Sequence, residues 1–278
     1  MKTKWKKKAG NGVYVGFVAF LALISFFPVI WILITSFKEA REMFSTPVRI
    51  FPSRITLHNY RMIFEDLRFL QYFGNTLFVT AAATALNILI SAFAAFGFSR
   101  YPVKGKKGML LGIVVTQLFP GSVILIPLYK LWVALGLIDT CWSLILTNAI
   151  SRLPLSIWML YGFFETVPRE IDEAARVDGC SRLRSLFAIL LPLSGPAIMA
   201  AVIYTSLNVW QEFLFALTFT VTQKHYTLMV GLYTFIGENG VEWGALMAAS
   251  ILTTLPVIAF FGMTQKQFTN GISGAVKM

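Results

Sequence analysis

One charge stands inside a stretch that is otherwise free of charge, and another stands at the edge of one. Arg152 interrupts the run 140–164, and Glu212 follows directly on the run 185–211. Gln117, Asn148, Asn208 and Gln211 add polar side chains to the same apolar runs. Lipid penalises such groups, an Arg at a helix centre by about 2.5–3.5 kcal/mol on insertion scales, so they must face protein or a watery path. Three kinds of chemistry fit. Arg152 and Glu212 can pair and hold two helices together. They can form the ion relay of a self-contained secondary transporter. Or Arg152 can meet an anionic group on a substrate, such as an acidic sugar or a sugar phosphate. Enzymatic chemistry has no comparable support. No H-E-x-x-H, no G-x-S-x-G and no metal-ligand cluster occurs, so neither catalytic nor metal-binding residues are expected.

The second unusual stretch is EIDEAARVDG, residues 170–179, with four acids and one Arg in a chain that is only 13% charged. Helix signals frame it. Thr166 can cap, and Pro168 suits a first turn. Glu170, Asp172 and Glu173 sit where the helix dipole favours negative charge. Gly179 can take the left-handed conformation that ends a helix. Ser181 can then cap a second helix running into Leu190 and Leu191. A helix of about ten residues is marginal alone in water, so something must hold it. Ile171, Ala174 and Ala175, at i, i+3 and i+4, offer a small, shallow face that a partner's backbone could approach closely. The alternative is a solvated connector.

The elements that position these residues follow from composition. The 278 residues are 56% hydrophobic with a mean hydropathy of +0.69, and their charge is half of what a soluble domain carries. Lipid is the expected solvent. A spanning helix needs about 20 apolar residues. Six runs qualify: 13–37, 69–99, 108–129, 140–164, 185–211 and 243–265. Segments 1–12, 99–107, 165–184 and 265–278 hold 15 Lys and Arg in 55 positions, while 37–68, 130–139 and 218–242 hold 8 in 67, so the first set, with both termini, is expected in the cytoplasm. The same rule explains the net charge of +11 without nucleic acid. MKTKWKKK resembles a signal-peptide start, but the following run is too long and lacks an A-x-A site, so the first helix is read as retained. Cys141 and Cys180 fall on opposite sides and should not pair.

The expected fold class is thus an all-α membrane protein. A single transmembrane domain covers 1–278, with an N-terminal segment 1–12, an outer loop 38–68 and a cytoplasmic loop 165–184. Pro47 and Pro52 forbid one continuous helix in the outer loop, and residues 56–60 can start a short surface helix. Pro28, Pro120, Pro127, Pro154 and Pro256 fall inside spans and can kink them. Ala81, Ala82, Ala83, Ala92, Ala94, Ala95 and Gly97 permit close packing of the second span.

The acidic block also carries a resemblance. Glu173-Ala174-Ala175, Gly179 and Ile189-Leu190-Leu191-Pro192 match EAA-x3-G-x9-I-x-L-P at every motif position. This is the cytoplasmic-loop signature of permease subunits in binding-protein-dependent ABC importers. SFKEAREMF, TLHNY, GLIDTCWSLIL, FFETVPREIDEAARVDG, WQEFL at 210–214 and the tail QKQFTNGISGAVKM extend the likeness over nearly the whole chain. It resembles the shorter, six-span permease of maltose-type carbohydrate importers. Gln211 stands where that family often has Asn, and Met278 where it usually has Gly.

The resemblance implies a type I ABC importer permease fold with a coupling helix at 168–178, between spans four and five. It implies a bacterial cytoplasmic (inner) membrane and four partners: a second homologous permease, two ATPase subunits and an extracytoplasmic sugar-binding protein. ATP and Mg would be bound by the ATPase subunits. This chain has no G-x4-G-K-[ST] loop and is expected to be no enzyme and to hold no cofactor. Coupling to the ATPase would use Glu170, Ile171, Glu173, Ala174, Ala175, Asp178 and Gly179, with Glu173 bonding the partner, both alanines fitting its cleft and Gly179 allowing the turn. The substrate path would draw on Gln117, Asn148, Arg152, Asn208, Gln211 and Glu212, although the partner permease would hold most of the sugar. The loop 222–242, with its tip Gly237-Glu238-Asn239-Gly240, would enter the binding protein's cleft; an ordinary connecting turn is the alternative.

Overall fold

Long uncharged runs become long helices, and prolines decide which stay straight. The computed structural model describes residues 2–65, 68–237 and 240–275, with side chains over 14–65, 68–236 and 241–264. In chain order, α1 is Lys2–Ser36, α2 Ala40–Met43, α3 His58–Glu65, α4 Phe69–Arg100 and α5 Lys106–Val115. Then come α6 (Gly121–Ala134), α7 (Cys141–Ser151), α8 (Leu153–Thr166), α9 (Arg169–Val177) and α10 (Arg182–Ser185). A π-turn at Leu186–Leu190 leads into α11 (Leu191–Leu193) and α12 (Gly195–Trp210). The chain continues as α13 (Leu214–Phe219), α14 (Leu228–Tyr233), a hairpin of β1 (Ile236–Gly237) and β2 (Gly240–Val241), and α15 (Trp243–Ala275).

Tyr14–Ser36, Phe69–Arg100 and Trp243–Thr264 are each long and apolar enough to cross a membrane, and three bent helix pairs pass the same test together. Pro28 and Pro256 lie within continuous helices. The other runs are broken. Lys106–Leu118 meets α6 at 95°, next to Pro120, and α7 meets α8 at 46°, just before Pro154. Arg182–Leu193 meets α12 at 82°, which corrects the expectation of one helix over 185–211. Pro192 and Pro196 are the cause. Each withdraws an N–H, and each ring crowds the carbonyl four residues earlier. At Ser194 the backbone leaves helical geometry (φ −90°, ψ 16°).

The chain divides into two compact units. The first comprises Met1–Phe69 and Leu232–Leu255. Here Thr56 Oγ1 accepts the His58 amide (3.1 Å) and starts α3 as expected. Asn59 is buried and donates to the carbonyls of Ser36 and Lys38 (2.8 and 3.0 Å). These belong to the end of α1, where helix carbonyls lack partners. The ammonium of Lys38 donates to the Arg49 carbonyl (2.7 Å) and lies over the Trp31 ring.

The second unit comprises Leu70–Gly231 and Pro256–Met278. Its organising element is α4. Thr76, Thr80, Ala83, Asn87, Ser91, Ala95 and Ser99 recur every three or four residues and are buried, while Leu77, Phe78, Leu89, Ile90 and Phe93 are exposed. This inverts the pattern of a soluble helix. Lipid tails are as apolar as Leu, so helices associate through close packing of small and hydrogen-bonding side chains. Two apolar cores flank the stripe. One joins Val79 and Ala83 to Trp132, Leu144, Ile145, Phe215 and Phe219. The other joins Ala92, Ala95 and Phe96 to Leu160, Phe164, Leu186 and Leu190.

The tightest approach is made by α14. A Cβ on Gly231 would lie 2.4 Å from Cδ2 of Tyr72, a buried ring. Overpacking costs about 1–3 kcal/mol. Gly231→Ala should therefore lower the thermal unfolding midpoint of the detergent-purified protein by a few degrees. An unchanged midpoint would show that the ring yields freely.

Candidate functional site

The acidic block folds as α9, with Glu170 and Asp172 in its first turn. Pro168 occupies the N-cap, and Thr166 does not cap. Its hydroxyl instead donates to the Phe163 carbonyl (2.7 Å) and finishes α8. The other end closes as expected. Gly179 has φ +81°, the Cys180 amide donates to the Ala175 carbonyl (2.9 Å), and the Gly179 amide donates to the Arg176 carbonyl (3.1 Å). These paired bonds make a Schellman motif, which glycine's freedom at positive φ permits. Ser181 Oγ accepts the Arg184 amide (3.3 Å) and caps α10.

One ion pair fastens this short helix. Asp172 Oδ2 accepts Nε of Arg100 at 2.5 Å, with 7% of the Arg side chain and 16% of the Asp side chain exposed. The rest of the guanidinium donates to the carbonyls of Phe164 (2.8 Å) and Val167 (3.0 Å), where α8 ends. Asp172 Oδ1 accepts the Ser185 hydroxyl (2.6 Å). Arg169 adds a bond to the Ser99 carbonyl (2.9 Å), and Arg182 lies over the Tyr101 ring. Removing one partner of such a buried pair costs roughly 3–5 kcal/mol, because the other is left desolvated and alone.

With Asp172 turned inward, Glu170, Ile171, Glu173, Ala174, Val177 and Asp178 are exposed. Ala175 is buried at 9% exposure, which corrects the expectation that both alanines fit a partner's cleft. Val177, 88% exposed, extends the apolar part of the face instead. A large aliphatic side chain left bare beside acids was the sequence signal for it.

A cavity of about 640 Å³ runs along α4, α12 and α15, lined by Leu77, Ile88, Val202, Trp210 and Phe260 among others. Gln117, Asn148, Arg152, Asn208, Gln211 and Glu212 are all absent from its lining. Several of them serve the backbone. Gln117 donates to the Ser151 carbonyl (2.8 Å), beside the α7–α8 break. Asn148 and Asn208 donate to carbonyls four residues earlier, Leu144 and Tyr204 (3.0 and 2.8 Å). Gln211 is exposed just beyond α12.

Arg152 and Glu212 form no ion pair, which corrects that expectation. The Glu212 carboxylate is occupied by the amides of Phe215 (2.7 Å) and Ala216 (3.0 Å) at the start of α13. Free amides at a helix start are strong partners for a carboxylate. Arg152 sits at the α7–α8 break, its Nε buried without a hydrogen-bond partner, as is Oδ1 of Asn148. Sequence reasoning passed over a fully buried polar residue of α4, Asn87. It donates to the Ala149 carbonyl (2.8 Å) and accepts the Thr205 hydroxyl (3.2 Å), which in turn meets Ser156 (3.3 Å). A lone amide near the centre of the 69–99 run was its signal.

Of the loop 222–242, the first part is anchored. Asn75 donates to the carbonyls of Lys224 and Tyr226 (2.8 and 2.9 Å). Asp139 accepts the amides of Val221 and Thr222 (2.9 and 3.0 Å) and the Thr222 hydroxyl (2.8 Å). At the tip, Gly237 pairs with Gly240, while Glu238 and Asn239 lie outside the described residues. Among the described residues no group of three His, Cys, Asp or Glu is arranged to hold a metal ion.

This architecture has relatives. The family described as "Binding-protein-dependent transport system inner membrane component" matches residues 87–273. The chain is 33% identical over 280 residues to the "Inner membrane ABC transporter permease protein YcjP" of Escherichia coli (strain K12), covering 100% of both. It is 36% identical over 247 residues to the "Sulfoquinovosyl glycerol transport system permease protein SmoH" of Agrobacterium fabrum, covering 89% of this chain and 87% of that one. It is 34% identical over 261 residues to the "Trehalose/maltose transport system permease protein MalG" of Thermococcus litoralis, covering 92% and 93%. Its fold matches a chain from the crystal structure of a bacterial ABC transporter involved in the import of the acidic polysaccharide alginate. There the TM-score is 0.82 at 21% identity, over 95% of this chain and 98% of the other. The chain therefore belongs to the family of inner membrane components of binding-protein-dependent transport systems. It has the type I ABC importer permease fold and is a multi-pass inner membrane protein.

Asp139 gives the anchored loop a pH dependence. Burial pushes its carboxyl up, but the bonds from Thr222 and Val221, with nearby His225, pull it net below the ordinary value. A depressed carboxyl contributes stability that is present above its unfolded pKa and lost as pH falls through the folded one. Residues 220–227 should resist proteolysis at neutral pH and loosen only below about pH 4. Asp139→Ala should loosen them already at pH 7 and flatten the pH response. Wild-type resistance in that variant would show that Asn75 and Gln71 hold the loop without Asp139.

Proposed function

We propose that the chain is one of two permease subunits of an ABC importer that brings a sugar into the cytoplasm. The described helices fit six spans when each bent pair counts as one, and the Lys and Arg distribution favours cytoplasmic termini. On this reading a binding protein delivers sugar from outside, and two ATPase subunits bind ATP and Mg. α9 couples them to the bundle. The observation that carries the proposal is the two-sidedness of α9, which is fastened inward through Asp172 and presents Glu170, Ile171, Glu173, Ala174 and Val177 outward. A helix closed at its end by a Schellman turn and fixed on its inner side transmits a push; a floppy connector does not. Asp178 and Gly179 shape the turn that sets its exit.

The sugar class is supported by relatives named for trehalose/maltose, sulfoquinovosyl glycerol and diacetylchitobiose transport. One observation favours an acidic sugar as a second reading. The unpartnered Nε of Arg152 is suited to a carboxylate, sulfonate or phosphate, with Asn148 one turn away for a hydroxyl.

The test is to reconstitute the complex with its binding protein and measure ATP hydrolysis with neutral and acidic saccharides. Stimulation by at least one saccharide is expected; none by any would overturn the carbohydrate reading. Glu173→Ala should leave the ATPase subunits bound less firmly and reduce saccharide-stimulated hydrolysis by about tenfold, within the usual span of coupling energies. Arg152→Gln should impair an acidic sugar selectively, and equal loss with neutral sugars would remove the second reading.

A further inference from the structure

We propose that Arg100 is a positioning residue of the coupling machinery, making the end of α4 part of the rigid body that moves with α9. The inference rests on reading α9 as the coupling helix. By covalent connection alone, α9 is joined only to α8 and α10, through the short links around Val167–Pro168 and Asp178–Cys180. Two such links would let a nine-residue helix rock without carrying the bundle along.

The guanidinium removes that freedom. Its three nitrogens reach three acceptors: Asp172 on α9, and the Phe164 and Val167 carbonyls at the end of α8. A planar fork holding three acceptors fixes the angle between α8 and α9 as well as their distance. Arg100 is the last residue of α4, so the same fork ties both to that helix. The bond from Arg169 to the Ser99 carbonyl is a second strap between α9 and α4. Asp172 also grips Ser185, at the entrance to the π-turn whose Leu186 and Leu190 pack on Phe96, Leu160 and Phe164.

The consequence reaches further along α4. This helix runs unbroken for 32 residues, whereas the α7–α8 and α10–α12 segments are bent at 46° and 82°. Its Asn87 bonds the Ala149 carbonyl at the α7–α8 break and the Thr205 hydroxyl on α12. Displacement of α9 therefore enters α4 at Arg100 and leaves it at Asn87, bypassing both bends.

The test compares complexes reconstituted in liposomes with wild-type, Arg100→Gln, Arg100→Lys, Asp172→Asn and Ser185→Ala chains, and Glu173→Ala as reference. The readouts are co-purification of the ATPase subunits and ATP hydrolysed per sugar imported. Arg100→Gln and Asp172→Asn should each raise that ratio by about tenfold while the ATPase subunits still co-purify. A chain carrying Arg100→Gln and Asp172→Asn together should show less than the product of the two single effects, because the two residues share one bond. Arg100→Lys, which keeps the charge but not the three-way fork, should fall between, and Ser185→Ala should have the smallest effect. If Arg100→Gln does not assemble, Asp172→Asn decides, since it leaves Arg100 its two carbonyls. Wild-type ratios in assembled variants, or failure of all of them to assemble, would overturn the proposal. Wild-type ATPase co-purification and saccharide-stimulated hydrolysis in Glu173→Ala would instead defeat the reading of α9 on which it rests.

Discussion

A bilayer core offers no hydrogen bonds, so every backbone group that a bent helix releases must find its partner within the protein. Much of the polar chemistry in this chain answers that constraint. The break between α7 and α8 frees carbonyls at Ala149 and Ser151, and Asn87 and Gln117 reach across from other helices to take them. The start of α13 leaves amides free, and Glu212 takes two. The ends of α1 and α8 are served by Asn59 and Arg100. Of the side chains that look like a substrate path in the sequence, Gln117 and Glu212 are engaged in this way. Arg152 and Asn148 each keep an unmatched buried atom.

The same constraint explains why the acidic helix α9 is built at the edge of the apolar core rather than inside it. α9 has few apolar residues to bury, and Ala175 is the only one of its nine residues that is buried. It cannot be held by packing, so it is held by charge. The pair between Asp172 and Arg100 is shielded enough to be strong, and the core of Phe96, Leu160, Phe164, Leu186 and Leu190 gives it a stiff bed. Holding α9 by its inner edge leaves its outer face free for another protein.

Local signals were legible in the sequence. Gly179 and Ser181 announced a helix end and a helix start, because both act on neighbours three or four positions away. The long helices over 13–37, 69–99 and 243–265 were legible from hydropathy alone, and the short helix from Thr56 by its start signal. Position within a turn was less so. Ala174 and Ala175 are chemically identical, and one step of helical rotation puts one outside and the other inside. Long-range partners left no local trace. Arg100 read as one more basic residue at a span end, and Glu212 invited an ion pair with Arg152 that nearby amides outcompete. Pro196 was hidden because it follows a glycine within a run of high hydropathy, where composition said span and stereochemistry said bend.

Arg100 and Asp172 are separated by 72 residues. At about 5–20 residues per second, a ribosome takes roughly 4–14 s to pass from one to the other. For most of that interval α4 is already made and its terminal guanidinium has neither its carboxylate nor the Phe164 and Val167 carbonyls. The order of synthesis thus sets the order of assembly. The bent pair of α7 and α8 must be in place before the fork can close, and closing it is among the first events available once the acidic helix emerges. A chain interrupted before residue 172 would keep its early helices but carry an unmatched cation at the membrane edge, a mark by which quality control could tell an unfinished subunit from a complete one.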